Sequence, residues 1–136
     1  MILGFTGTRY GMNEKQIKAF LEFLQGYNFT TLVHGGCVGA DKEAHDVFKQ
    51  RGLRVEVRPG YPSANPQDTS DHFDFSDADV IYPAEPFFAR NRAIVEQCSI
   101  LVGAPPCNED PGRGGTWYTI RHGLKVGLPT TILLRD

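Results

Sequence analysis

Tryptophan occurs once, methionine twice and cysteine only three times in these 136 residues. Cys37, Cys98 and Cys107 are odd in number and far apart, which argues against a disulfide framework, and no C-x-x-C pair marks a zinc site. His34 and His45 lack a second ligand at metal spacing, so no metal is expected and both read as structural or surface residues. Apolar runs are short. None approaches the roughly 18 residues of a membrane helix, and with so little cysteine a reducing cytoplasm is the expected location. Neither sign of charge dominates, because the net charge is −2; a nucleic acid would need a local basic patch, and that partner is disfavoured. What remains, 40% apolar and 22% charged residues, suits one globular domain spanning residues 1–136.

The periodicity alternates between strand and helix. Ile2–Phe5, Thr31–Val33, Leu53–Val57, Ser99–Gly103 and Thr130–Leu134 are short apolar or β-branched runs that read as strands. Between them Ile17, Phe20, Leu21 and Leu24 form a helical stripe, as do Ala40, Ala44, Val47 and Phe48. Asn13 with Gln16 predicts a capping box. Further helices are predicted from about Phe87 to Gln97 and from Thr116 to Val126, with Thr116 as cap. Alternation of this kind predicts an α/β, Rossmann-like, doubly wound parallel sheet of about five strands in the order 3-2-1-4-5, with helices on both faces. Pro59–Pro86 breaks the rhythm with five prolines and five aspartates. Within it only Asp79–Tyr82 resembles a brief strand, the aspartates read as a solvated face, and Tyr61, Phe73 and Phe75 read as exposed aromatics that a partner would cover.

Ligands of such sheets sit beyond the carboxyl ends of the strands, at the point where the strand order reverses. Three glycine-bearing loops converge there: Thr6–Arg9, His34–Asp41 and Cys107–Thr116. Gly114, Gly115 and Thr116 open a helix, whose bare N–H groups and dipole suit a phosphate. Gly7, Gly35, Gly36 and Gly39 let backbone approach a ligand, or serve packing alone. Thr8 is either a ligand hydroxyl or a turn former, and Arg9 either a phosphate clamp or a solvated surface residue. Asp41 is either a ribose acceptor or a helix cap. Arg90 and Arg92 oppose the dipole of their helix, a conflict that an anion, or a salt bridge to Glu85 or Glu96, would relieve. Cys37 lies in an exposed loop near a helix start, where its pKa would fall. Glycines at Gly4, Gly7 and Gly11 do not form G-x-G-x-x-G, so no dinucleotide cofactor is identified.

In this order GFTGTR, HGGCVGAD, RNRAIV and RGGTWYTIRHGLKVGLP resemble the SLOG superfamily, which includes DprA/Smf proteins, YspA-type proteins and the LOG (lysine-decarboxylase-like) phosphoribohydrolases. The likeness covers nearly the whole chain and is closest to small YspA-related members. It implies a nucleotide-binding fold, a homodimer or higher oligomer, and a ligand of the nucleotide or nucleotide-sugar kind held by a binding or sensor module. The LOG likeness implies, as an alternative, an N-glycosidase acting on nucleoside 5′-monophosphates. Gly115 and Thr116 match that group's G-T, but Tyr118 and Thr119 stand where its two acids belong, leaving Asp41 or Glu85 as relocated acids. The DprA likeness rests on R-N-R and implies single-stranded DNA as a further alternative.

Overall fold

A computed structural model describes all of residues 1–136. Its central sheet is built from β1 (Ile2–Gly7), β2 (Thr31–His34), β3 (Arg54–Val57), β5 (Val80–Ile81), β7 (Ile100–Ala104) and β8 (Thr130–Ile132). The order is β5-β3-β2-β1-β7-β8, and every pair is parallel. The five expected strands therefore stand in the expected order. The sixth, β5, arises from the brief Asp79–Tyr82 run, which adds to β3 at the sheet edge. A second, two-residue ladder joins β4 (Gly60–Tyr61) to β6 (Glu85–Pro86). No helix is long and apolar enough to cross a membrane.

Strand residues alternate between two apolar layers, as a sheet covered on both faces requires. Leu3, Phe5, Leu32, Val55 and Val102 pack with Phe20 and Leu24 of α1 (Glu14–Gln25) and Ala44 and Phe48 of α2 (Ala40–Gln50). On the opposite face Val33 and Leu101 meet Ile94 and Val95 of α3 (Phe87–Gln97). The fully buried rings of Phe5, Phe20 and Phe48 contribute on the order of 2 kcal/mol each by leaving water. The remaining helix, α4 (Gly115–Lys125), lies close against β7. A methyl group added to Gly103 would overlap Ile120, and one added to Gly123 would press on Leu101.

The aspartates of the Pro59–Pro86 segment are mostly exposed, as a solvated face requires, and each also has its own partner. Asp68 and Asp74 accept from Ser70 N and Ser76 N at 2.9 and 3.0 Å, closing local turns. Asp79 accepts from Val55 N at 2.8 Å and so fixes β5 beside β3, while Asp71 and Asp77 pair with Arg9 and His45. The aromatics, by contrast, turn inward. Phe73 stacks on His34 with ring centroids 5.8 Å apart and meets Phe75 edge-on, and Tyr61, Phe73 and Phe75 are all partly buried. Folding back consumes the aromatic surface that a partner was expected to cover.

Candidate functional site

Parallel strands all deliver their following loops to one edge, and strand order reverses at β1, between β2 and β7. Above that point lies a cavity of about 450 Å³, within the range of small-molecule sites. The loops after β1, β2 and β7 reach it, with Gly7, Thr8 and Arg9 from the first, Gly35, Cys37 and Asp41 from the second, and Gly114, Gly115 and Thr116 from the third. Helix α3 closes a further side with Arg90.

The β2 loop is held from two directions. Gly39, at φ 92°, sits so close to the carbonyls of Thr8 and Arg9 that no side chain fits. Asp41 then turns back on its own loop, its Oδ2 accepting from Gly35 N at 3.2 Å and Cys37 N at 3.3 Å. It does not cap α2, whose N-cap is Gly39 with no side-chain cap bond. Oδ1 of Asp41 has no partner although the residue is only 4% exposed. Burial raises its pKa to about 6, against the pull of the nearby Arg90 guanidinium and the two amides.

Arg90 is itself 5% exposed. Its Nη1 donates to the carbonyls of Gly35 at 2.7 Å and Arg58 at 3.2 Å, and its Nε donates to Asn91 at 2.7 Å. The expected salt bridge to Glu85 or Glu96 does not form. Glu85 lies 4.0 Å from Arg58 instead and outside the cavity wall. Arg90 thus keeps a buried positive charge whose bonds run to neutral oxygens and, from Nη2, to the Cys37 sulfur at 3.7 Å. Arg92 points elsewhere: it is exposed and donates to Tyr118 at 2.9 Å. Periodicity could have separated the two arginines. Ile94 and Val95 face the sheet, and residues 90 and 91 lie one turn earlier on the same face, whereas residue 92 does not.

At the third loop α4 begins at Gly115 after the N-cap Gly114, with no side chain capping it. Thr116 is therefore not the cap, and the first-turn N–H groups have no acceptor within the helix. Arg113 stands beside them on the wall. At the mouth, Arg9 pairs with Asp71 at 2.8 Å while remaining more than half exposed. Gly36 and Gly39 shape the β2 loop from behind rather than line the cavity: Gly36, at φ 74°, packs against Phe75.

Several wall residues were not among the expected site residues. Tyr10, Phe87, Phe88 and Trp117 supply aromatic surface, and Asn91 and Arg113 supply donors. Trp117 is buried, yet its Nε1 has no partner. Trp117 and Asp41 thus own the two buried side-chain polar atoms left unpaired in the protein, and both residues line this cavity. Unpaired buried groups are rare enough to need a reason.

Cys37 is not activated. Burial first, then the neighbouring Asp41, push its thiol up to about 11, overriding the opposite pull of Arg90. Behind the loop, His34 and His45 are both buried and joined. The amide of Gly36 donates to His34 Nδ1 at 2.9 Å, His34 Nε2 lies 2.9 Å from His45 Nδ1, and His45 Nε2 lies 2.7 Å from Asp77. Since an amide only donates, His34 carries its proton on Nε2, gives it to His45 Nδ1, and leaves the His45 Nε2 proton to Asp77. Burial keeps His34 well below the usual imidazole pKa.

Compared with known protein families, curated proteins and solved structures, the chain matches none.

Proposed function

We propose that this protein binds a nucleotide or a nucleotide-derived small molecule, as a binding or sensor module, in the cavity at the carboxyl edge of its sheet. One observation carries the reading. The uncapped start of α4 and the buried Arg90, which makes no salt bridge, border the same cavity, so an anion there gains both dipole and charge. Arg113 adds a second cation at the rim. The aromatic wall suits a nucleobase, since stacked rings are worth about 1–3 kcal/mol per base. Segments of all four stretches that resemble the SLOG superfamily border this cavity, which agrees with a nucleotide ligand. A buried Arg90 favours an enclosed ligand over a strand of DNA lying on the surface.

The test uses Trp117, the one tryptophan of the chain, as reporter. Titration with the nucleoside 5′-monophosphates changes its emission saturably, and inorganic phosphate competes. Absence of any saturable change, confirmed by calorimetry, removes the reading.

A second reading is the N-glycosidase with a relocated acid. Asp41 favours it, being a carboxyl on the cavity wall whose pKa of about 6 suits proton transfer near neutrality. Tyr118 and Thr119 offer no such group, as Thr119 donates to Gly115 O at 2.9 Å and Tyr118 accepts from Arg92. Incubation with the same monophosphates and chromatography for free base decides it. If no base is released at pH 5–8, the enzymatic reading is lost and the binding one is not.

A further inference from the structure

The two oxygens of Asp41 are unlike. Oδ2 already accepts from two amides, and Oδ1 accepts from nothing. A ligand that needs both carboxylate oxygens, such as the paired N–H edge of a guanine, finds only one of them unpartnered. A single unpartnered oxygen has two lone pairs. It can accept from two hydroxyls carried on adjacent carbons. A cationic donor is disfavoured by Arg90, which already acts on the same carboxylate.

We infer that Asp41 Oδ1 accepts the vicinal 2′- and 3′-hydroxyls of the ligand's sugar, so that the site selects ribonucleotides over 2′-deoxyribonucleotides. The inference rests on the nucleotide reading and narrows it. In the free protein this oxygen is buried and unpaired. A deoxy ligand gives the buried carboxylate one hydrogen bond fewer. A charge-assisted bond of this kind corresponds to about 10- to 100-fold in affinity.

Binding then also moves a proton. Hydroxyl donors stabilise the ionised carboxylate and lower its pKa in the complex, so the ribonucleotide complex releases protons near pH 6 and tightens as pH rises from 5 to 7. The other groups that act on Asp41 are Arg90 from α3 and Cys37, whose thiol is pushed up to about 11. Arg9 and Asp71 share the wall as an ion pair, and His34 behind the loop is held neutral by burial.

The experiment is isothermal titration of the wild-type protein with each ribonucleoside 5′-monophosphate and its 2′-deoxy counterpart. It is run at pH 6 in two non-phosphate buffers of different ionisation enthalpy, and repeated with Asp41→Asn. The expected result is about 10- to 100-fold tighter binding of the ribo form, with more protons released than by the deoxy form, whose phosphate titrates near the same pH. In Asp41→Asn the preference falls to within about threefold and the difference in release disappears. Equal binding of ribo and deoxy forms, or equal proton release by the two, overturns the diol inference and leaves the nucleotide reading standing. Binding of neither form overturns both. Should Asp41→Asn fail to fold by circular dichroism, the wild-type affinity ratio and proton count decide alone.

Discussion

At the scale of single residues, a carboxyl forced to ionise inside the protein makes alkali, rather than acid, the costly direction. Asp41 rises from 3.8 to about 6 because burial outweighs Arg90. The folded protein therefore holds this proton more tightly than the unfolded chain does, so the stability it contributes is full below pH 4 and is lost as pH rises through 6. The loss is on the order of 3 kcal/mol. Asp41→Asn keeps the shape without the ionisation, so its stability relative to wild type improves as pH rises from 4 to 7. Paired urea melts across that range would show a constant difference if Asp41 ionised normally. The sequence left Asp41 as a ribose acceptor, a helix cap or a relocated acid and could not show its contacts, since these depend on Gly35, Cys37 and Arg90 closing around it. The inactive state of Cys37 was hidden for the same reason: a loop that looks open in the sequence is roofed by α3.

Elements were more legible, because their signals are local. The capping box at Asn13 and Gln16 forms as the spacing requires, with bonds of 2.9 and 3.1 Å. Sequence could not show that Gln16 is also fully buried, donating to Pro105 O and Leu133 O and accepting from Arg135. Gln16→Ala therefore costs roughly 2–4 kcal/mol, more than the ~1 of a lost cap, because it strands two buried carbonyls; thermal unfolding measures it. Helix α4 permits a test with opposite signs. Gly115 has ordinary φ and only a distant neighbour where a side chain would go, so Gly115→Asp fits. A carboxylate there stabilises α4 by about 0.5–1 kcal/mol through the dipole and the loss of a glycine, yet it occupies the place of the bound anion. Melting temperature should rise while affinity for a nucleoside monophosphate falls at least tenfold, and a variant that binds normally would disconnect α4 from the ligand.

For the whole molecule, strand order followed from alternation alone, because β-strand and helix periods repeat with short links. The segment between β3 and α3 did not, because its structure is made by distant partners. His72 reaches Gly60 O at 2.8 Å, Val38 N reaches Asp71 O at 2.7 Å, and Asp77 reaches His45. No local pattern in the sequence announces such pairs. Their order can be checked by nitrogen-15 spectroscopy at neutral pH, where both His34 and His45 should appear as the tautomer protonated on Nε2. A pair protonated on Nδ1 would contradict the hydrogen-bond polarity derived from Gly36.

That polarity makes the two imidazoles behave as one object. Neither ring can turn over without forcing the other to do so, because each proton has a single destination. The row runs from an outer carboxylate to the amide next to Gly35, whose N–H and C=O hold Asp41 and Arg90. Replacing Asp77, well outside the pocket, frees the last proton and with it the choice of direction for the entire row. A surface substitution far from any ligand thereby loosens the floor on which the ligand rests.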